Sequence, residues 1–434
     1  MKRKLYQELT EWKNSKQVRK PIVLYGARQV GKTHLIKEFG KSYKDVFYIN
    51  FEMNPSLIQD FETDLSPVYL LNKFETYFGK KIIPGESLIF FDEVQLCERA
   101  LTSLKYFCEN APEYHVIAAG SLLGVAIHRE KYSFPVGKVR LLNLYAFDFE
   151  EFLWACNHEL LAQEIRKCFQ ARIHMSPSLH QLALEMYKNY LIVGGMPEAI
   201  NHYLLEKRLI DAGNIQNNIL NSYIADMAKY TTPAETTKIL ACFNSIPAQL
   251  AKDNRKFQYK VVQKGGSATI FGASLDWLSA AGIIAKCQKV NQGVLPLAAQ
   301  QELGHFKIFM NDVGLLVLKS GVNAHDLLSD NIHSYIGAIT ENYAANALVT
   351  NGHALYYWES NSLAEIDFVI QLEGKIIPIE VKSNLRVKSR SLSVYTSKFK
   401  PAFSIRVSAK HFGFENSIFS IPLYAMFCIE SRSM

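Results

Sequence analysis

An α/β fold built on a parallel, doubly wound sheet is predicted for the front of this 434-residue chain, and three observations predict it. Residues Pro21 to Thr33 read PIVLYGARQVGKT, a short apolar strand running into G-x-x-x-x-G-K-T at the start of a helix. Residues Ser87 to Glu93 read SLIFFDE, an apolar strand that ends in two carboxylates. Around them strand-like and helix-like patterns alternate, an order that places ligands at the carboxyl ends of the strands. A lead-in helix is expected over Lys4 to Trp12, a second strand over Lys44 to Asn50 and a helix over Val68 to Phe78. A helix over Ala100 to Glu109 then leads to a strand over His115 to Ala119. Residues Ser133 to Leu153 begin with strand-like alternation and pass into a helix.

The Gly-containing segment has the chemistry of a phosphate-binding loop. Gly26 and Gly31 let the backbone wrap close around phosphate oxygens, and the helix N-terminus behind them supplies N–H donors. The cradle is expected to run through Gly26, Ala27, Arg28, Gln29, Val30, Gly31, Lys32, Thr33 and His34. Lys32 is expected to reach the β- and γ-phosphates, and Thr33 to place its hydroxyl on Mg²⁺. Asp92 would hold the same ion, directly or through water, and Glu93 would orient and deprotonate an attacking water. Ser121, just past the His115 strand beside the loop, can sense the γ-phosphate. A buried strand ending in a solvated acidic turn accounts for either segment alone; the pair favours nucleotide chemistry.

Composition is that of an ordinary globular chain, with 48% hydrophobic and 21% charged residues, and the length predicts about three domains. There is no apolar run of about 18 residues, and the opening MKRKLYQELTEWKN has no apolar stretch. The expectation is a soluble cytoplasmic protein with no membrane association. Seven cysteines, at 97, 108, 156, 168, 242, 287 and 428, show no C-x-x-C pair and read as reduced thiols. The net charge of +7 is concentrated at the rear: nine Lys or Arg face three Glu from Glu380 onward. Such a surface suits a polyanion such as DNA or RNA, and equally describes a solvated lysine face.

From about Glu150 to Lys229 the pattern is helical, broken at Gly194-Gly195-Met196-Pro197, where glycine stops one helix and Pro197 takes the first turn of the next. Ala234 to Val290 then reads helix, helix, helix, strand, the order of a winged helix-turn-helix. Its recognition-helix position, Thr269 to Ala280, carries no Lys or Arg, which favours a structural or protein-contact role over DNA binding.

A second signature follows. Tyr335 to Val349 is an amphipathic helix carrying Glu341, and EIDFVIQ and KIIPIEVKS flank a Glu373-Gly374 turn. The hairpin brings Asp367 beside Glu380, and Glu380 and Lys382, two apart on a strand, share a face. Asp367 and Glu380 can co-ligate Mg²⁺ or Mn²⁺, Lys382 would stabilise developing phosphorane charge, and Glu341 would complete the metal shell. A surface hairpin of alternating charge remains the alternative.

Taken together, YGARQVGKT, LIFFDEVQ, AAGSLL, SFPVGKV, FDFEEFL, GGMPEAI, KIFMNDVGLL and EIDFVI…IPIEVKS resemble a known group. These are the bacterial and archaeal AAA-type ATPases, near the signal-transduction ATPases, that end in an uncharacterised domain similar to PD-(D/E)xK restriction nucleases. The resemblance implies a P-loop ATPase domain over 1–150, a helical lid over 151–232, a winged-helix-like module over 233–325 and a restriction-endonuclease-like α/β domain over 326–434. It implies ATP as ligand, a contact of Pro197 with the adenine ring, a polar sensor at Gly120-Ser121, and Arg129 or Arg140 as an arginine finger. The rear of the chain could cleave DNA or RNA, or only dock nucleic acid or a partner protein. Both a monomer and a homo-oligomer fit the sequence.

Overall fold

The structure, a computed structural model, describes residues 1–15, 19–121, 123, 134–209, 211–252, 255–328, 335–360, 364–383 and 390–431. The chain divides into two compact units. One comprises Lys2–Ala146 with Ala280–Gly282; the other comprises Phe147–Ser279 and Ile283–Met434, together with Met1.

The first unit is organised by five strands: β1 (Ile22–Tyr25), β2 (Asp45–Asn50), β3 (Ser87–Asp92), β4 (His115–Ala119) and β5 (Arg140–Asn143). Their order is β2-β3-β4-β1-β5, and every neighbouring pair is parallel. Helices Lys32–Gly40, Pro67–Phe78 and Glu98–Asn110 lie close to the expected spans, as does the lead-in helix Leu5–Asn14. A parallel sheet is covered on both faces, so its strands read as unbroken apolar runs. In β3 all six residues are buried, with Phe91 meeting Phe61, Phe74 and Phe107 at ring-centroid distances of 5.5, 5.9 and 6.4 Å. That packing fixes where the strand stops, and therefore where Asp92 and Glu93 emerge.

The second unit begins with helices Phe149–Ala155, Glu159–Ala171, Pro177–Val193, Pro197–Glu206 and Ala212–Tyr230, matching the helical stretch expected there. The break falls at Gly194–Met196, and Pro197 opens the next helix. Helices Pro233–Leu250, Tyr259–Val262 and Ala268–Ala280 follow, then β6 (Ile284–Val290) and β7 (Gln301–Met310) as an antiparallel pair. After helix Ile336–Thr350 come β8 (Tyr356–Glu359), β9 (Glu365–Leu372), β10 (Lys375–Val381), helix Arg390–Phe399, β11 (Ser404–Ser408), β12 (Gly413–Glu415) and β13 (Ile418–Pro422).

These strands make one mixed sheet of eight, in the order β12-β13-β11-β10-β9-β8-β6-β7. Strand β6, expected as the strand of a separate winged helix-turn-helix, pairs antiparallel with β7 and joins that sheet through parallel pairing with β8. The physical reason is exposure: β6 has a second open edge, and β8 pairs with it. Among the described residues, no helix is long and apolar enough to cross a membrane. All seven cysteines are free thiols.

Candidate functional site

The loop between β1 and the helix Lys32–Gly40 is shaped by backbone that only glycine accepts easily. Gly26 has φ +147°, and a Cβ there would stand 2.1 Å from the Leu144 carbonyl oxygen. Gly31, with φ 94°, is the residue before the helix and gives no side-chain cap to the first turn. The first-turn N–H groups are therefore left for a ligand, and the helix dipole favours an anion there. Ala27 and Val30 pack inward, whereas Arg28, Gln29 and His34 are exposed. Arg3 clamps the outside of the loop: its guanidinium donates to the carbonyls of Val30, at 3.0 Å, and Tyr145, at 2.6 Å. Nothing in the sequence pointed to Arg3, because both partners are fixed only by the fold.

Lys32 is buried, and its ammonium donates to the carbonyls of Gly26 (2.9 Å) and Ala27 (2.8 Å), folded across the cradle it is expected to serve. The Thr33 hydroxyl donates to Asp92, at 3.2 Å from Oδ1 and 3.0 Å from Oδ2. This brings together, across 59 residues of sequence, the two oxygen ligands expected for one Mg²⁺. Tyr48 donates to Asp92 Oδ2 at 2.8 Å and accepts from the Asn50 amide at 3.0 Å. Burial first, then the neighbouring Asp92 and Glu93 carboxylates, push the Tyr48 phenol up to about 12, so it stays a donor. Asp92 is thus held by two hydroxyls, each a contact that a bound cation can replace or share. The donor set, hard oxygens beside an uncapped helix N-terminus, fits a nucleotide with Mg²⁺.

Glu93 follows in a left-handed conformation, φ 52°, which turns the chain out of the sheet and leaves the side chain half-buried. Ser121 lies just past β4, where the Gly120 N–H donates to the Leu24 carbonyl of β1. Strand β4 thus ends beside the strand that feeds the loop. Of the two arginine-finger candidates, Arg140 is paired with Glu8 at 2.8 Å, and Arg129 lies outside the described residues.

Pro197 belongs to the second unit, where its glycine pair is locked by a residue the sequence reading passed over. Asp312 is fully buried; it accepts from the Gly195 N–H at 2.6 Å and the Leu315 N–H at 2.9 Å. A Cβ on Gly194 would stand 2.3 Å from Asp312 Oδ1, and one on Gly195 would stand 2.0 Å from the Phe147 carbonyl oxygen. Burial pushes the Asp312 carboxyl up to about 6, against the three backbone N–H groups that hold it down. The G-G-M-P and N-D-V-G-L-L segments are therefore one structural unit, although 117 residues separate Gly195 from Asp312.

The rear acidic centre forms only in part. Ile379 pairs with Phe368 in the β9–β10 register, so Glu380 falls opposite Asp367, and the Val381 N–H donates to Asp367 at 2.8 Å. Lys382 meets Glu380 Oε1 at 2.9 Å, while Glu380 Oε2 is buried and takes no hydrogen bond. Those three residues are together as expected. Glu341 makes its ion pairs with other residues. It pairs with Lys307 of β7 at 2.8 Å and with Arg255, and Lys307 reaches Glu365 at 2.5 Å as well. Lys307 and Glu341 are both essentially inaccessible, so each balances the other's charge inside the protein. Among the described residues, no group of three or more His, Cys, Asp or Glu is placed to hold a metal ion.

Comparison with known proteins follows the same division. Residues 18–153 match the family described as AAA domain. Residues 184–326 and 336–426 match two families described as domains of unknown function (DUF8612 and DUF4143). No curated protein matches the chain. Among solved structures it is similar to the Walker-type ATPase paby2304 of Pyrococcus abyssi, at 14% identity and TM-score 0.43, over 72% of this chain and 94% of that one. It is similar also to the ORC2 protein of Aeropyrum pernix, solved as ADPNP–ADP complexes (13%, TM-score 0.36, 78% and 93%). A third is AMPPCP-bound DnaA from Aquifex aeolicus (14%, TM-score 0.27, 63% and 86%). The parallel sheet, the glycine cradle and the Thr33–Asp92 contact all lie within the span that matches the AAA domain family.

Proposed function

We propose that this chain is an ATP-binding and ATP-hydrolysing switch whose second unit responds to the nucleotide state of the first. The observation that carries the reading is the Thr33–Asp92 contact at the foot of an uncapped, glycine-shaped helix N-terminus. Thr33 and Asp92 would hold Mg²⁺ there, and the ion would supply neutralisation of phosphate charge. The chain's own residues supply the rest: Lys32 exchanges backbone carbonyls for phosphate oxygens, Glu93 takes a proton from water, and Ser121 and Pro197 report what is bound. Adenine is preferred over guanine in this reading, since no N-K-x-D motif is present. Within it, residues 1–150 act as the ATPase, 151–232 as a lid, 233–325 as a winged-helix-like module and 326–434 as the responding domain. Wild-type protein should gain thermal stability from ATP with Mg²⁺ and turn it over, with GTP the weaker ligand. Absence of both stabilisation and turnover would end the proposal.

A second activity is favoured by one feature, the buried and unpartnered Oε2 of Glu380 beside Asp367 and Lys382. Such an oxygen is costly to leave bare, and a hard divalent cation is the ligand its chemistry suits. Asp367 and Glu380 would hold Mg²⁺ or Mn²⁺, and Lys382 would sit against developing negative charge on a phosphodiester. We propose nucleic-acid cleavage under nucleotide control, with docking of DNA, RNA or a partner protein as the alternative. Plasmid and single-stranded DNA should be cut in Mn²⁺ by wild type and not by Glu380→Ala. No cutting by wild type, with or without ATP, leaves a binding module.

A further inference from the structure

Gln95 lies two residues beyond Glu93 in the 3₁₀ turn Val94–Leu96, and its side chain turns back onto that carboxylate. Its Nε2 donates to Glu93 Oε2 at 2.5 Å. Only this orientation of the amide is sensible, because the opposite one would set a carbonyl oxygen against a carboxylate oxygen. The other end, Oε1, is buried and accepts nothing. It rests against Gly120, where a Cβ would stand 2.3 Å away, with Leu123 and Val94 side chains at 3.1 and 3.3 Å. Glu93 itself has left-handed backbone, so its side chain leaves the sheet at the turn that carries Gln95.

We infer that Gln95 is a positioning residue for Glu93, and that the absence of a side chain at Gly120 is what keeps Gln95 in place. The inference rests on the reading of Glu93 as the residue that activates water. By donating to Oε2, the amide fixes the carboxylate plane and leaves Oε1 of Glu93 to face the water. The contact joins the turn after β3 to the end of β4, so displacement at the Ser121 end of β4 is passed to Glu93 through one side chain.

Two substitutions separate this from simple packing. Gln95→Met keeps the length and apolar stem and removes the donor; a packing role predicts near-wild-type turnover. The inference predicts that kcat falls about 10- to 100-fold with KM within about twofold, as misaimed catalytic groups do. Gly120→Ala puts a methyl where Gln95 Oε1 lies and also presses on Leu123 and Val94, so its melting temperature is read beside its kinetics, and it should reproduce the same split. ATP affinity, measured by titration of a fluorescent analogue, should be unchanged in both. The Gln95 side-chain amide proton, identified by its loss in Gln95→Met, should lie downfield in the wild type and move upfield in Glu93→Ala.

Combining Gln95→Met with Glu93→Gln should give no loss beyond that of Glu93→Gln alone, because one residue acts through the other. Wild-type turnover in Glu93→Gln would remove the base, and the inference with it. A slow Glu93→Gln beside a wild-type kcat in both Gln95→Met and Gly120→Ala would overturn the inference alone. Should Gln95→Met fail to fold, Gly120→Ala decides.

Discussion

Glu93→Gln is expected to bind ATP with near-wild-type affinity and to hydrolyse it at least ~100-fold more slowly, the usual worth of a positioned general base. The substitution is close to isosteric, and glutamine in the same left-handed position can still accept from Gln95, so the local structure should survive. What is lost is the capacity to take a proton. Lys32→Ala should fail at the earlier step. Its ammonium is a buried cation lying across the glycine cradle, and removing it takes away both the charge and its bonds to Gly26 and Ala27. Affinity for ATP should drop by more than about tenfold, in line with loss of a charge-assisted contact. Isothermal titration and single-turnover hydrolysis on the two variants separate binding from chemistry. Equal turnover in Glu93→Gln and wild type would remove Glu93 as the base; tight binding by Lys32→Ala would move the phosphate site elsewhere.

What the sequence disclosed of this site was what local chemistry encodes. The positive φ at Gly26 and Gly31 and the fully buried run SLIFFD are properties of a few consecutive residues, and so were readable. The residues that hold the site in shape were not. Arg3 reaches Tyr145 across 142 positions, Tyr48 reaches Asp92 across 44, and Asp312 reaches Gly195 across 117. Each is an ordinary polar residue until the fold supplies its partner. Gln95 was quoted within LIFFDEVQ, yet its role depends on the space at Gly120, which no local pattern reveals.

The rear of the chain shows the same limit with a different outcome. The nearness of Asp367, Glu380 and Lys382 was legible because period-two geometry and a tight turn determine their faces. Glu341 was assigned to them as the carboxylate of the helix that precedes the hairpin. Its actual partner, Lys307, sits in β7 between Phe306 and Ile308, and the last five residues of that strand are all buried. In a strand buried on both faces, a lysine has no outward face, so it must find carboxylates inside.

That burial makes Lys307 the position of largest expected effect on stability. Lys307→Met should destabilise the second unit by about 3 kcal/mol, the cost of stripping one partner from a buried ion pair. Glu341, 1% exposed, would keep only Arg255, while Glu365, 28% exposed, can turn toward water. Repulsion is only part of the loss. The ammonium also lies 5.1 Å from the Tyr357 ring centroid, opposite Cys287, whose fully buried thiol is pushed well up by desolvation. The apolar side of the pocket would accept methionine, so the penalty falls on the carboxylates. Lys307→Met with Glu341→Met should therefore recover much of the stability, since matched apolar replacement of a buried pair is often close to neutral. Urea unfolding followed by tryptophan fluorescence, with Trp358 buried in this unit, measures the whole cycle. A Lys307→Met midpoint equal to wild type would show that the pair contributes nothing. A different result would restore Glu341 to the metal: Mn²⁺ stabilising the wild type, Glu341→Gln abolishing that gain, and metal-free stability unchanged. In that case the carboxylate is bound by the ion it was first assigned to, and Lys307 merely covers it when the ion is absent.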